Sequence, residues 1–152
     1  MSSPEVLLVE DNPSDVELAR HAFARNNLAA VLHVARDGVE ALEFLFATGP
    51  HACRAGRRPP RLVLLDLKLP RLDGLEVLRR VKADPRTRSI PVVMLSTSCE
   101  DRDVDASYGL GVNSYVVKPV DFEQFMRAVA ILGTYWLVLN EAPTDAPVVG
   151  PP

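Results

Sequence analysis

Cysteine is scarce: Cys53 and Cys99 are the only two, far apart and with no metal-ligand spacing around either. A disulfide framework and a thiolate metal site are thereby excluded, and two unpaired thiols fit a reducing compartment. No apolar run approaches the roughly 20 residues of a membrane span. The opening Met1-Ser-Ser-Pro-Glu5 lacks the basic-then-apolar layout of a secretory leader. A cytoplasmic protein without a membrane partner is therefore expected. Positive charge is not in excess either: a net charge of -3 and a pI near 5.6 leave no footprint for nucleic acid. No G-x-G-x-x-G follows the first apolar run, G-x-x-x-x-G-K-[ST] occurs nowhere, and no repeat of fixed period appears.

What is present is organised around Arg61-Leu-Val-Leu-Leu-Asp66-Leu-Lys-Leu-Pro70-Arg-Leu-Asp-Gly74. A short apolar run, bounded by Arg-Arg-Pro-Pro before it and Pro70 and Asp73-Gly74 after it, fits a strand buried on both faces. Asp66 then stands at the carboxyl end of a central strand, where open α/β sheets bind ligands. Further strands are expected at Glu5–Val9, Ala30–Val34, Ile90–Leu95 and Ser114–Val117. Helical apolar spacing separates them: Val16 to Phe23 behind an Asn12-Pro13 start signal, Val39 to Phe46, Leu75 to Val81, a modest helix from Glu100-Asp101 to about Gly109, and a last one from Asp121 to about Asn140. Residues 49–60 break every pattern and read as a surface loop whose arginines keep it in water. At 152 residues, 47% hydrophobic and 24% charged, the chain fits one soluble domain with a real core. Strands alternating with helices predict an α/β fold, a doubly wound (βα)5 sandwich with a five-stranded parallel sheet.

In such a sheet the strand ends carrying Glu10-Asp11, Asp66, Ser96 and Lys118 share one edge. Taken singly, each has an ordinary explanation: a turn-forming aspartate, a solvated lysine, a loop hydroxyl, an acidic start to a helix. Their coincidence points to a site. Three carboxylates held together repel one another, and a hard divalent cation such as Mg²⁺ relieves that. Lys118 adds a mobile point charge suited to phosphate, and Ser96 a hydroxyl donor. The set fits phosphoryl transfer onto Asp66. A small Mg²⁺-dependent phosphatase with Asp66 as nucleophile is the alternative, but Lys68 stands two residues after Asp66, where a second acid would serve as proton donor.

Over about residues 4–130 the chain resembles the receiver domain of two-component response regulators, whose fold is flavodoxin-like. The resemblance rests on Val6-Leu-Leu-Val-Glu10-Asp11-Asn, Leu64-Leu-Asp66-Leu-Lys-Leu-Pro70 with Asp73-Gly74, Pro91-Val-Val-Met-Leu-Ser96 and Tyr115-Val-Val-Lys118-Pro119. It implies that Asp66 accepts phosphate from a histidine kinase, and that Glu10, Asp11, Asp66 and the backbone carbonyl of Lys68 hold Mg²⁺. It further implies that Ser96 and Tyr115 form a switch and that the Lys118–Pro119 bond is cis. Lys68 and Thr97 are larger than the residues common there, so an altered phosphoryl lifetime is expected.

Within that family, Ala35-Arg-Asp-Gly-Val-Glu-Ala41, Asn113-Ser-Tyr-Val-Val-Lys-Pro119 and Thr134-Tyr-Trp-Leu137 resemble single-domain regulators paired with phytochrome histidine kinases. A bacteriophytochrome partner is thus implied. The last helix carries more apolar residues than one core-facing stripe uses. The surplus, Tyr135, Trp136, Leu137, Val138 and Leu139, is expected to form a partner surface, read as a homodimer through the fourth helix, fifth strand and fifth helix. The expected division is a receiver domain over 1–140 and a proline-rich tail or arm over 141–152, with no output domain attached.

Overall fold

The computed structural model describes residues 3–143, so most of the expected tail, from 144 onward, lies outside the described residues. Five strands alternate with five helices: β1 (Glu5–Val9), α1 (Pro13–Arg25), β2 (Val31–Ala35), α2 (Gly38–Phe46), β3 (Leu62–Leu65), α3 (Gly74–Ala83), β4 (Val92–Ser96), α4 (Asp101–Gly109), β5 (Ser114–Val117) and α5 (Phe122–Thr134). The strands form one sheet in the order β2-β1-β3-β4-β5, and every pairing is parallel. Strand order reverses between β1 and β3, the place where doubly wound sheets open a crevice.

The pairing register builds that crevice. Val9 of β1 lies opposite Leu65 of β3, so the next residues, Glu10 and Asp66, leave the sheet side by side. Alternation along each strand serves both faces. Leu7, Val9, Val63, Leu65 and Met94 bury against α2 and α3, whereas Val6, Leu8, Leu64 and Leu95 bury against α1 and α5.

The ends of the helices are fixed locally. Asn12 Oδ1 accepts from the Ser14 and Asp15 amides at 2.9 and 3.4 Å and starts α1 at Pro13. Asp37, Asp73 and Asp121 cap α2, α3 and α5 in the same way. Two glycines clamp the loop after β3. A Cβ at Gly74 would stand 2.2 Å from the Asp66 carbonyl oxygen, and one at Gly38 would stand 2.0 Å from that of Leu72. Only glycine allows these approaches.

Four expectations need correcting. Residues 49–54 are not loop but a 3-10 helix, Gly49–Arg54, and Arg54 is buried. Its guanidinium lies 3.6 Å from the Phe44 ring centroid and donates to Glu5 Oε2 at 2.8 Å. A π face and a carboxylate together make burial of that cation tolerable.

No described peptide bond is cis, Lys118–Pro119 included. The two isomers of an X–Pro bond differ by only about 0.5–1 kcal/mol, so residue type alone does not decide between them.

The last helix stops being α-helical at Thr134 and continues as a π-helical turn, Tyr135–Leu139, with the Asn140 amide donating to the Tyr135 carbonyl at 2.7 Å. The wider turn changes which side chains face inward. Trp136 and Leu137 are half-buried against the core on the α1–α5 side, leaving Tyr135, Val138 and Leu139 exposed. The expected partner surface is therefore smaller by those two residues.

Candidate functional site

The site lies at the carboxyl ends of β1, β3, β4 and β5, and most of its residues come from the first positions after the strands. Asp66 is anchored by its own amide, which donates to the Val9 carbonyl at 3.0 Å. Lys118 is anchored likewise, its amide donating to the Ser96 carbonyl at 2.7 Å. Extension of the ladder by one residue past each strand thus fixes both backbones before any side-chain contact forms.

Glu10, Asp11 and Asp66 each offer a carboxylate oxygen, and these atoms all lie within 4.8 Å of one another. Glu10 is buried, Asp66 half-buried and Asp11 exposed, so the cluster opens to solvent on one side. Three hard oxygen donors so placed fit Mg²⁺ and suit soft or nitrogen-preferring metals poorly. Lys68 sits on the exposed loop that follows Asp66.

The Lys118 ammonium is 7% exposed and touches three carboxylates. It donates to Glu10 Oε2 through a short hydrogen bond, to Asp15 Oδ2 at 3.0 Å and to Asp66 Oδ2 at 3.4 Å. Burial disfavours the charged amine, but the Glu10 hydrogen bond and the charges of Asp66 and Glu10 outweigh it and hold the Lys118 pKa above the ordinary lysine value. On the other side of the pair, burial pushes the Glu10 carboxyl up to about 7; Lys118 pulls against this while Asp66 adds to it. The Asn12 amide donates to the second Glu10 oxygen at 3.1 Å and aims the side chain.

Ser96 ends β4 and is buried, with its hydroxyl oxygen accepting from the Ser98 amide at 3.1 Å. Tyr115 on β5 is half-buried, and its hydroxyl donates to the Ser98 carbonyl at 2.8 Å. Both candidate switch residues are therefore tied to Ser98, whose own hydroxyl makes a short hydrogen bond to Asp103 of α4. Sequence reasoning singled out Ser96 from Ser96-Thr-Ser98 and passed over Ser98 and Asp103. It also missed Asp15, whose signal was present: an acid three residues after the Asn12 cap falls in the first turn of α1, beside the carboxyl end of β1.

The response regulator receiver domain family matches residues 6–130. The chain belongs to that family. Its receiver is 43% identical over 141 residues to the probable methanogenesis regulatory protein FilR2 of Methanothrix harundinacea, covering 93% of this chain and 88% of the relative. It is 38% identical to response regulator Rcp1 of Synechocystis over 87% of this chain and 88% of that one. The crystal structure of the Mn²⁺-bound form of Rcp1 superposes with a TM-score of 0.86, covering 93% of this chain and 99% of that one. The phosphorylated cyanobacterial phytochrome response regulator RcpA superposes with a TM-score of 0.87 at 38% identity, covering 94% of this chain and all of that one. The receiver fold and a phosphoacceptor role in two-component signalling follow from membership.

Proposed function

We propose that Asp66 is the phosphoacceptor, taking its phosphoryl group from the phosphohistidine of a sensor histidine kinase. The observation that carries this reading is the Lys118 ammonium, 3.4 Å from Asp66 Oδ2 beside the Glu10–Asp11 acids. An Asp66 oxygen attacks phosphorus. The new O–P bond forms as the donor N–P bond breaks, and the imidazole leaves with the electron pair and takes up a proton. Lys118 and the Ser96 hydroxyl meet the charge on the transferred oxygens. Glu10, Asp11 and Asp66, with the Lys68 carbonyl, would hold Mg²⁺, which when bound offsets acid charge that would otherwise repel the incoming anion.

The likeness to a phytochrome response regulator supports a phytochrome-type kinase as donor, a bacteriophytochrome among the candidates; on this reading the two meet in the cytoplasm. For output, the Ser96 hydroxyl moves to donate its proton to the new phosphoryl oxygens, and the Tyr115 ring follows into the vacated space. This biases the surface of α4, β5 and α5 between pre-existing arrangements. That surface carries exposed apolar side chains on all three elements, Tyr108, Val117 and Phe122, and the turn after α5 adds Tyr135, Val138 and Leu139. Such exposure favours a twofold homodimer.

Incubation with Mg²⁺ and a small-molecule phosphodonor, read by intact mass beside size-exclusion chromatography, tests this. One acid-labile phosphoryl group per chain is expected, absent in Asp66→Asn. Steady turnover of a phosphomonoester without a stoichiometric adduct would instead establish a phosphatase.

A further inference from the structure

We infer that Asp15 is a positioning residue for Lys118: it holds the ammonium while Glu10 and Asp66 are given over to the metal. This rests on the reading that Glu10, Asp11 and Asp66 bind Mg²⁺. Lys118 donates to three acids, and two of them, Glu10 and Asp66, belong to the metal cluster. Only Asp15, at 3.0 Å, lies outside it. A divalent cation entering the cluster competes with the ammonium for the same oxygens. At 7% exposure, Lys118 cannot turn to solvent in compensation. A buried cation stripped of its partners is strongly unfavourable.

Asp15 removes that conflict. Its carboxylate is 23% exposed and stands in the first turn of α1, where the helix dipole favours a negative charge. Its backbone is fixed by its amide on Asn12 Oδ1, so it does not have to move. With Asp15 in place, Lys118 keeps a full salt bridge as Glu10 and Asp66 turn to the metal, and it remains beside Asp66 for an arriving phosphoryl group. The arrangement lets one small pocket hold an ammonium and a divalent cation together.

A double-mutant cycle on Mg²⁺ binding, measured by calorimetry with Mg²⁺ alone, tests the inference. Asp15→Asn is expected to weaken Mg²⁺ binding about tenfold, roughly the cost of leaving one partly screened charge without its partner. In the Lys118→Ala background, where there is no ammonium to hold, the same change should cost about twofold at most, the residue of simple charge attraction. Asp15→Glu should recover most of the loss. Equal weakening in both backgrounds would make Asp15 a direct attractor or ligand of the cation and overturn the inference, as would no change in either. If the parent protein binds no Mg²⁺, the underlying metal reading fails and takes this one with it. If the parent binds Mg²⁺ and only the cycle closes without coupling, the role of Asp15 alone is lost.

Discussion

Asp66 and Gly74 are joined through the backbone: a Cβ on Gly74 would stand 2.2 Å from the Asp66 carbonyl oxygen and 2.8 Å from that of Leu67. The Gly74 amide donates to that same Leu67 carbonyl at 2.8 Å. The loop carrying Asp66 is thus folded back onto the start of α3, and the absence of a side chain at one position lets it close.

Gly74→Ala should therefore act on fold and site together. The methyl group cannot be accommodated by rotating a flexible side chain, because the atoms it meets are backbone. A loss of about 2 kcal/mol or more in urea denaturation is expected. The surviving folded fraction should form the phosphoryl adduct more slowly than the parent. A parent-like midpoint with parent-like adduct formation would show that the loop yields freely.

At the opposite end of the sheet, Arg54 and Arg57 both reach Glu5, at 2.8 and 3.0 Å, yet they should differ in worth. Arg54 is 3% exposed and stacks on Phe44, whereas Arg57 is 56% exposed. Removing one partner of a buried pair costs about 3–5 kcal/mol, and an exposed one about 0–1. Arg54→Ala should lower the denaturation free energy by about 3 kcal/mol and Arg57→Ala by less than about 1. Equal effects would contradict the burial argument.

The difference between those arginines also marks what residue patterns carry. The five strands, the Asn12 cap and the convergence of Glu10, Asp11, Asp66 and Lys118 were legible because each rests on a local signal plus one topological rule: parallel strands bring their carboxyl ends to one edge. Arg54 was not legible. Its burial depends on Phe44 and Glu5 meeting it from elements ten and forty-nine residues away, and nothing local encodes that. Asp15 was half legible: its helical turn could be read, its approach to Lys118 from across the sheet could not. The widened turn after Thr134 is of the same kind: it goes with Trp136 and Leu137 packing onto the core, a long-range contact that the local pattern does not encode.

The Glu5 cluster predicts how stability responds to acid. Burial raises the Glu5 pKa, but the Arg54 hydrogen bond and the charges of Arg54, Arg57 and His33 outweigh it and bring the carboxyl below its ordinary 4.5. His33 Nε2 lies 2.8 Å from Glu5 Oε2 without the alignment of a hydrogen bond. Burial foremost lowers its pKa below 6.5; Glu5 opposes this, and the two arginines add to it. Below 6.5 the unfolded chain binds a proton at His33 more readily than the folded one, so that contribution is full above 6.5 and lost as pH falls through the folded value. The Glu5 contribution is full above 4.5 and is lost on further acidification. As pH is lowered these two contributions to the thermal midpoint should be lost in two stages, the first set against the gain from Glu10, whose carboxyl, raised to about 7, takes up its proton more readily in the folded chain. His33→Asn should flatten the first stage and leave the second; a profile unchanged by that substitution would remove His33 as its source.

The lifetime of the phosphoryl group is set by how readily water reaches it in line with the Asp66 oxygen. Lys68 lies two residues after the proposed acceptor on the loop following β3, Thr97 directly follows Ser96, and both are exposed. Neither is needed to build the core, so shortening them alters access without disturbing the acids. On the reading that both side chains narrow the path of the attacking water, shortening them opens it. Lys68→Asn and Thr97→Ala should therefore each hasten dephosphorylation several-fold, with adduct yield at saturating donor and Mg²⁺ little changed at early times. Loss of acid-labile phosphate followed by intact mass after donor removal measures this directly. Decay at the parent rate in both variants would place control of the water elsewhere, and slower decay in Lys68→Asn would mean that the lysine charge orients the attacking water and does not obstruct it.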